Sequence, residues 1–282
     1  FLNHCSFNEN SKIWKGKNKN KNFEDKENVK KLFVEEKVIS TEFNPQLKIN
    51  ITKINNNNNN KVINDRNDYG VQNYKGLLKK DESYSFSKLQ NINQLDYKPI
   101  FLSDGIIFFD KKGTIFRYTN DKKIVWKNNF YTKAEKKLKP KLYLERDNET
   151  LLVVDDIAKY YSININTGKL NWTKNSNYPF NSKIKKHNKN FFVVDYKNTL
   201  RCYNIKDGSE CWKMQTEDSF TISGSKFSLI IIDDLVIFNN SIGDITAVDV
   251  ESGLINWQLP TQSNAIINKT YKFRVSKLVS DG

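Results

Sequence analysis

An all-β fold, a β-propeller of four-stranded antiparallel blades, is predicted by three observations in this chain of 282 residues. Tryptophans recur at Trp126, Trp172, Trp212 and Trp257, spaced by 46 (172 − 126), 40 (212 − 172) and 45 (257 − 212) residues. A glycine stands four positions before three of them, at Gly168, Gly208 and Gly253. Short apolar runs, Leu151–Val154, Phe191–Val194 and Leu235–Phe238, precede those glycines. A blade of four short strands with tight turns takes ~40–50 residues, whereas helical repeats of about 33–34 residues are too short to fit. About four blades and the start of a fifth are expected.

Each part of the repeat has a physical reason. The segments Ser162–Trp172, Cys202–Trp212 and Ala247–Trp257 run in step: a small residue, then Asn or Asp, then Gly, then Trp, at fixed offsets. The glycines follow Asn166-Thr167, Lys206-Asp207 and Glu251-Ser252 in the hairpin between the last two strands, where a positive φ is needed. That turn sets the register of the next strand, so the tryptophan emerges on the same face every time. The first repeat keeps Trp126 but has Lys122 at the glycine position and Phe116 at the small-residue position. The apolar runs suit strands buried on both faces between neighbouring blades. A tryptophan inserted between blades buries ~150–250 Å². At ~25 cal/mol per Å² this contributes at most roughly 4–6 kcal/mol.

The chain divides into three parts: residues 1–7, a polar stretch over 8–67 and the propeller from 68 to 282. Within 8–67, Lys15–Asn22 and the unbroken Asn55–Asn60 offer little apolar surface to offset ordering entropy, so this stretch reads as tether, interrupted by a short candidate helix over Val29–Val38. Alternation around Tyr84, Phe86 and Lys88 suits a first strand between Tyr69 and Leu95. The formal charge of +14 is spread along the chain and reads as solvated surface, not as a nucleic-acid footprint. No apolar run approaches the ~18–20 residues of a spanning helix.

Catalytic chemistry finds little material. His4 and His187 are the only histidines, which leaves triads and histidine metal sites without parts, and His187 is expected in an exposed loop. Asp155-Asp156 and Asp233-Asp234 read as strand-end turn residues. No two glycines form a G-x-G phosphate loop. Trp14 and Phe130-Tyr131 read as local packing. Cys202 and Cys211 face each other across one hairpin, so a disulfide is conceivable in an oxidising compartment, but the small-residue slot of Cys202 favours a buried thiol. No catalytic residue, metal ligand, cofactor or small-molecule substrate is expected.

The pattern Ala-x-Asp-x-x-Ser-Gly-x-x-x-Trp over Ala247–Trp257, with its two counterparts, resembles the repeat of quinoprotein-type propellers, over about Lys98–Asp281. That resemblance implies an eight-bladed ring, and Ser280-Asp281-Gly282 replays Ser103-Asp104-Gly105 as the opening of a fifth blade. The segment Phe1-Leu2-Asn3-His4-Cys5-Ser6 resembles the end of a bacterial lipoprotein signal, which implies lipidation at Cys5, and Ser6 is compatible with outer-membrane sorting. Together these features resemble the BamB-like subunits of the outer-membrane protein assembly machinery. The resemblance implies a lipid-anchored periplasmic scaffold that binds protein partners of the assembly complex. It supplies no partner-binding residues. Two other readings start from the same propeller: a quinone-dependent dehydrogenase, although the chain has no adjacent cysteines, and an extracytoplasmic sensor or adhesion module.

Overall fold

The computed structural model describes residues 66–68, 99–217, 226–261 and 276–280, all within the unit spanning Thr41–Gly282. Cys5, Trp14, the candidate helix over 29–38, the candidate strand between Tyr69 and Leu95, and the pair Asp281-Gly282 lie outside the described residues.

Four antiparallel sheets follow one another along the chain, each a meander of four strands in sequence order. Blade 1 holds β1 (Ile100–Leu102), β2 (Gly105–Phe109), β3 (Ile115–Thr119) and β4 (Ile124–Asn128). After helix α1 (Lys133–Lys137), blade 2 holds β5 (Leu142–Asp147), β6 (Thr150–Asp155), β7 (Lys159–Asn164) and β8 (Leu170–Asn175). Blade 3 holds β9 (Lys185–His187), β10 (Asn190–Val194), β11 (Thr199–Asn204) and β12 (Glu210–Gln215). Blade 4 holds β13 (Leu229–Ile232), β14 (Leu235–Asn239), β15 (Ile245–Asp249) and β16 (Ile255–Leu259).

The second strands are the core, because consecutive side chains face opposite neighbours. Along β6, Leu151 and Val153 pack with Ile107, Phe109 and Ile115 of blade 1, while Leu152 and Val154 pack with Phe191, Val193 and Tyr203 of blade 3. Along β10, Phe192 and Val194 turn the other way, onto Leu229, Ile231, Val236 and Phe238 of blade 4. Every apolar position of these runs is therefore used, which is why they read as continuous and not alternating.

The turns and the register come from the repeat itself. Asn164, Asn204 and Asp249 open the third-to-fourth-strand hairpins, and their Oδ1 atoms accept from Thr167, Lys206 and Ser252 backbone N–H. Gly168, Gly208 and Gly253 follow at φ of +69°, +68° and +72°. Their N–H groups donate back to the carbonyls of Asn164, Asn204 and Asp249. A β-bulge then shifts the register in every blade, leaving Arg117, Ser162, Cys202 and Ala247 opposite Trp126, Trp172, Trp212 and Trp257.

Two local expectations are corrected here. In blade 1 the hairpin closes one residue sooner, with Lys122 N–H donating to Thr119 O, so Arg117 and not Phe116 takes the small-residue position. His187 is not in an exposed loop: it ends β9, the edge strand of its sheet, just before a turn at Asn188 with φ of +52°. Its Nδ1 meets the Arg66 guanidinium. Residues 66–68 lie against the first strands of blades 3 and 4, where Ile231 N–H donates to Arg66 O at 2.8 Å and Lys185 pairs with Asp68 at 2.6 Å.

Candidate functional site

The recurring residues meet in the clefts between blades. The Trp126 indole N–H donates to Ile165 O of blade 2 at 2.7 Å, Trp172 to Ile205 O of blade 3 at 3.1 Å, and Trp212 to Val250 O of blade 4 at 3.0 Å. Each of those carbonyls stands three residues before the glycine of its own hairpin. The ring lies flat on that glycine. A Cβ on Gly168 would come within 2.7 Å of the Trp126 ring, on Gly208 within 2.7 Å of Trp172, and on Gly253 within 2.6 Å of Trp212. Glycine is thus favoured twice over, for its φ and for its missing Cβ. Lys122 holds a φ of +62° at the same turn position without being glycine, so the φ alone does not demand one. Trp257 sits in β16 at 37 % exposure, and among the described residues no later hairpin reaches it.

A second repeat, which sequence reasoning overlooked, closes the turn between the second and third strands. Asp110, Asp155, Asp195 and Asn240 each use Oδ1 to accept two backbone N–H groups, two and four residues ahead. Their spacings of 45 (155 − 110), 40 (195 − 155) and 45 (240 − 195) track those of the tryptophans, so the signal was in the sequence. All four side chains are buried. The remaining side-chain atom takes a different partner in each of three blades. Tyr131 O–H donates to Asp155 Oδ2 at 2.6 Å, Arg201 Nε–H to Asp195 Oδ2 at 2.8 Å, and Asn240 Nδ2–H to Thr216 Oγ1 at 3.2 Å.

Burial sets the electrostatics of blade 2. Desolvation pushes Asp155 up to about 6, against the Tyr131, Lys159 and Ile157 hydrogen bonds that favour its ionised form. Tyr131 is raised far above the usual phenol range, first by burial and then by Tyr161 and Asp155, so it stays protonated and donates. Burial likewise raises the Cys202 thiol, and Cys202 and Cys211 are free thiols.

A pH dependence follows. Because the folded-state value of Asp155 lies above its ordinary 3.8, its contribution is fully present below about pH 4 and is lost as pH rises through 6. The window is worth at most about 3 kcal/mol. Asp155→Asn keeps the Oδ1 acceptor, as Asn240 does naturally, and is expected to flatten the denaturation midpoint between pH 4 and 6 without lowering it at neutral pH. A mutant whose midpoint still falls across that window would show that another group carries the effect.

Among the described residues no three His, Cys, Asp or Glu side chains gather as metal ligands, and no helix is long and apolar enough to cross a membrane. Residues 100–281 match the model of a protein family described as outer membrane protein assembly factor BamB. Among solved structures the chain is similar to BamB from Moraxella catarrhalis, at 17% identity over 62% of this chain and 53% of that one, with a TM-score of 0.50. A quinohemoprotein alcohol dehydrogenase from Pseudomonas putida HK5 follows at 11% identity over 60% of this chain and 35% of that one, TM-score 0.46. The Pan2 WD40 domain of Neurospora crassa gives 12% identity over 58% and 51%, TM-score 0.44. The chain therefore spans about half the length of the BamB structure it matches, and at these identities the likeness is one of fold. Comparison with the curated proteins gives no match.

Proposed function

The chain belongs to the family of outer membrane protein assembly factor BamB, and from that membership we propose that it is a non-catalytic scaffold of outer-membrane protein assembly. In this reading it is held at the periplasmic face of the outer membrane by a lipid on Cys5, with residues 8–67 as the tether and the blades as the platform for protein partners. The observation that carries the reading is the match to the family model over 100–281, a range that takes in all four blades. The use of the recurring residues supports it too. Trp126, Trp172, Trp212 and their facing glycines are spent on holding blade to blade, which leaves the exposed turns and outer strands as the surface a partner would meet.

The test is made in Gram-negative cells that express the chain behind a bacterial lipoprotein leader joined to Phe1. Incorporation of labelled palmitate is expected, blocked by globomycin and by Cys5→Ala, together with co-purification of the outer-membrane assembly complex. A protein that takes up no lipid and brings down no assembly component would overturn the proposal.

A further inference from the structure

The connection between blades 1 and 2 carries α1, the only helix among the described residues. It presents Lys133, Lys137, Lys139 and Lys141 to solvent, with Leu138 standing among them at 67 % exposure. Lys112 joins them from the turn between β2 and β3. That turn is clamped under the connection: a Cβ on Gly113 would come within 2.5 Å of the Tyr131 ring and 3.1 Å of Pro140, and Asn129 Nδ2–H donates to Lys112 O at 2.9 Å. Glu135, the one carboxylate between Asn129 and Lys141, is turned inward, capping the helix from its own first turn and pairing with Lys159 at 2.9 Å. Its charge is spent on Lys159 and the helix cap, and Asp156 Oδ1 accepts from the Lys141 backbone N–H at 2.8 Å at the edge of the patch.

Topology sets which turns of these two blades lie beside the lysines. A four-stranded meander puts the second-to-third-strand turn and the blade-to-blade connection at one end, and the other two turns at the opposite end. The first end holds the lysines; the opposite end mixes the exposed acids Asp104, Asp121 and Glu149 with the exposed bases Lys122, Lys123, Arg146 and Lys169.

We propose that Lys112 and the 133–141 connection form a contact surface for an anionic phospholipid bilayer. Lysines are flexible point charges that need no fixed partner geometry, which suits a plane of mobile phosphates. An exposed leucine at their centre can enter the headgroup and acyl boundary, as the apolar residue of an interfacial segment does. The patch is a projecting turn on a short helix, so it offers an acidic peptide no groove to lie in. This inference goes beyond the scaffold reading and is measured without a lipid anchor or an assembly complex, so the failure of either leaves the other standing.

The experiment is flotation of the full 282-residue chain, unlipidated, with phosphatidylglycerol–phosphatidylcholine vesicles and with phosphatidylcholine alone. Binding to the first and not the second is expected, with release at high salt as the charges are screened. Each lysine near an anionic surface is worth about fivefold in partitioning, so Lys133→Glu/Lys137→Glu/Lys141→Glu should weaken binding by about a hundredfold or more. Leu138→Asp should weaken it by about tenfold and leave the salt dependence in place. Lys169→Glu/Lys206→Glu, at the opposite end, should change nothing. Near-UV circular dichroism of the tryptophans checks the fold, and a triple Lys→Gln variant replaces any charge-reversed one that loses that signal. Equal binding by wild type and the triple variant overturns the proposal. So does polyglutamate that displaces the vesicles while Leu138→Asp binds as wild type does, because the surface would then be an acidic-peptide site.

Discussion

Trp126→Ala is expected to lower the unfolding free energy by about 3–5 kcal/mol, the range for deleting a large aromatic from a packed interior. Trp126 is 8% exposed and is buried in the cluster that joins Ile107, Phe109 and Ile115 of blade 1 to Leu151, Val153 and Ile163 of blade 2. Trp126→Phe should cost only about 1–2 kcal/mol, because it keeps most of the apolar contact and gives up one hydrogen bond. The Ile165 carbonyl would keep a partner, since Arg117 Nη1 also donates to it at 3.1 Å. The reciprocal change is Gly168→Ala, strained both by its φ of +69° and by a Cβ 2.7 Å from the ring, with an expected cost of about 1–3 kcal/mol. The two changes should be less costly together than their sum, because the added methyl enters the space the indole leaves. Urea denaturation of the four proteins measures the cycle. Strict additivity would mean that ring and turn do not share the cleft.

Asp195→Asn is expected to lower the unfolding free energy by about 3–5 kcal/mol, because it leaves a buried guanidinium facing an N–H donor. Arg201 is 7% exposed, and its Nε–H donates to Asp195 Oδ2 at 2.8 Å. Its Nη1 holds Glu210 at 2.8 Å, an exposed carboxylate that offsets part of the charge, which sets the lower end of the range. The change is chemically the same as Asp155→Asn, yet the expected results differ. Asp155 faces a phenol that can accept as well as donate, whereas Asp195 faces a group that only donates. Adding Arg201→Met to Asp195→Asn should recover much of the loss, since the unpaired charge goes with the arginine. Thermal unfolding of the single and double variants decides the matter. A double variant no more stable than Asp195→Asn would place the cost in the turn and not in the ion pair.

The tryptophan period and the glycine corners were legible because both are local and repeat in a single chain. The second repeat at Asp110, Asp155, Asp195 and Asn240 was equally periodic but was missed. In sequence Asp155 stands beside Asp156 as a strand end, and the asparagine at 240 breaks a pattern of carboxylates. What identifies the four is a shared acceptor geometry that aspartate and asparagine supply alike. Phe116 was misplaced because one hairpin is a residue shorter, and in a strand a slip of one position exchanges the faces. His187 reads as loop in sequence because a strand of three polar residues carries no hydrophobic alternation to mark it.

By itself, then, the sequence determined the blade: four strands to a unit, the corner that closes them and the position from which each indole projects. Hairpin register depends on residues within about ten positions of each other, so local chemistry suffices for it. Tertiary structure alone decided what each recurring shape touches. It set the Trp126 ring on Gly168, gave Asp155 a tyrosine and Asp195 an arginine, and brought Lys112 up to the 133–141 connection. Desolvation and hydrogen bonding across a cleft depend on partners tens of residues away, whose distances exist only once the sheets have stacked.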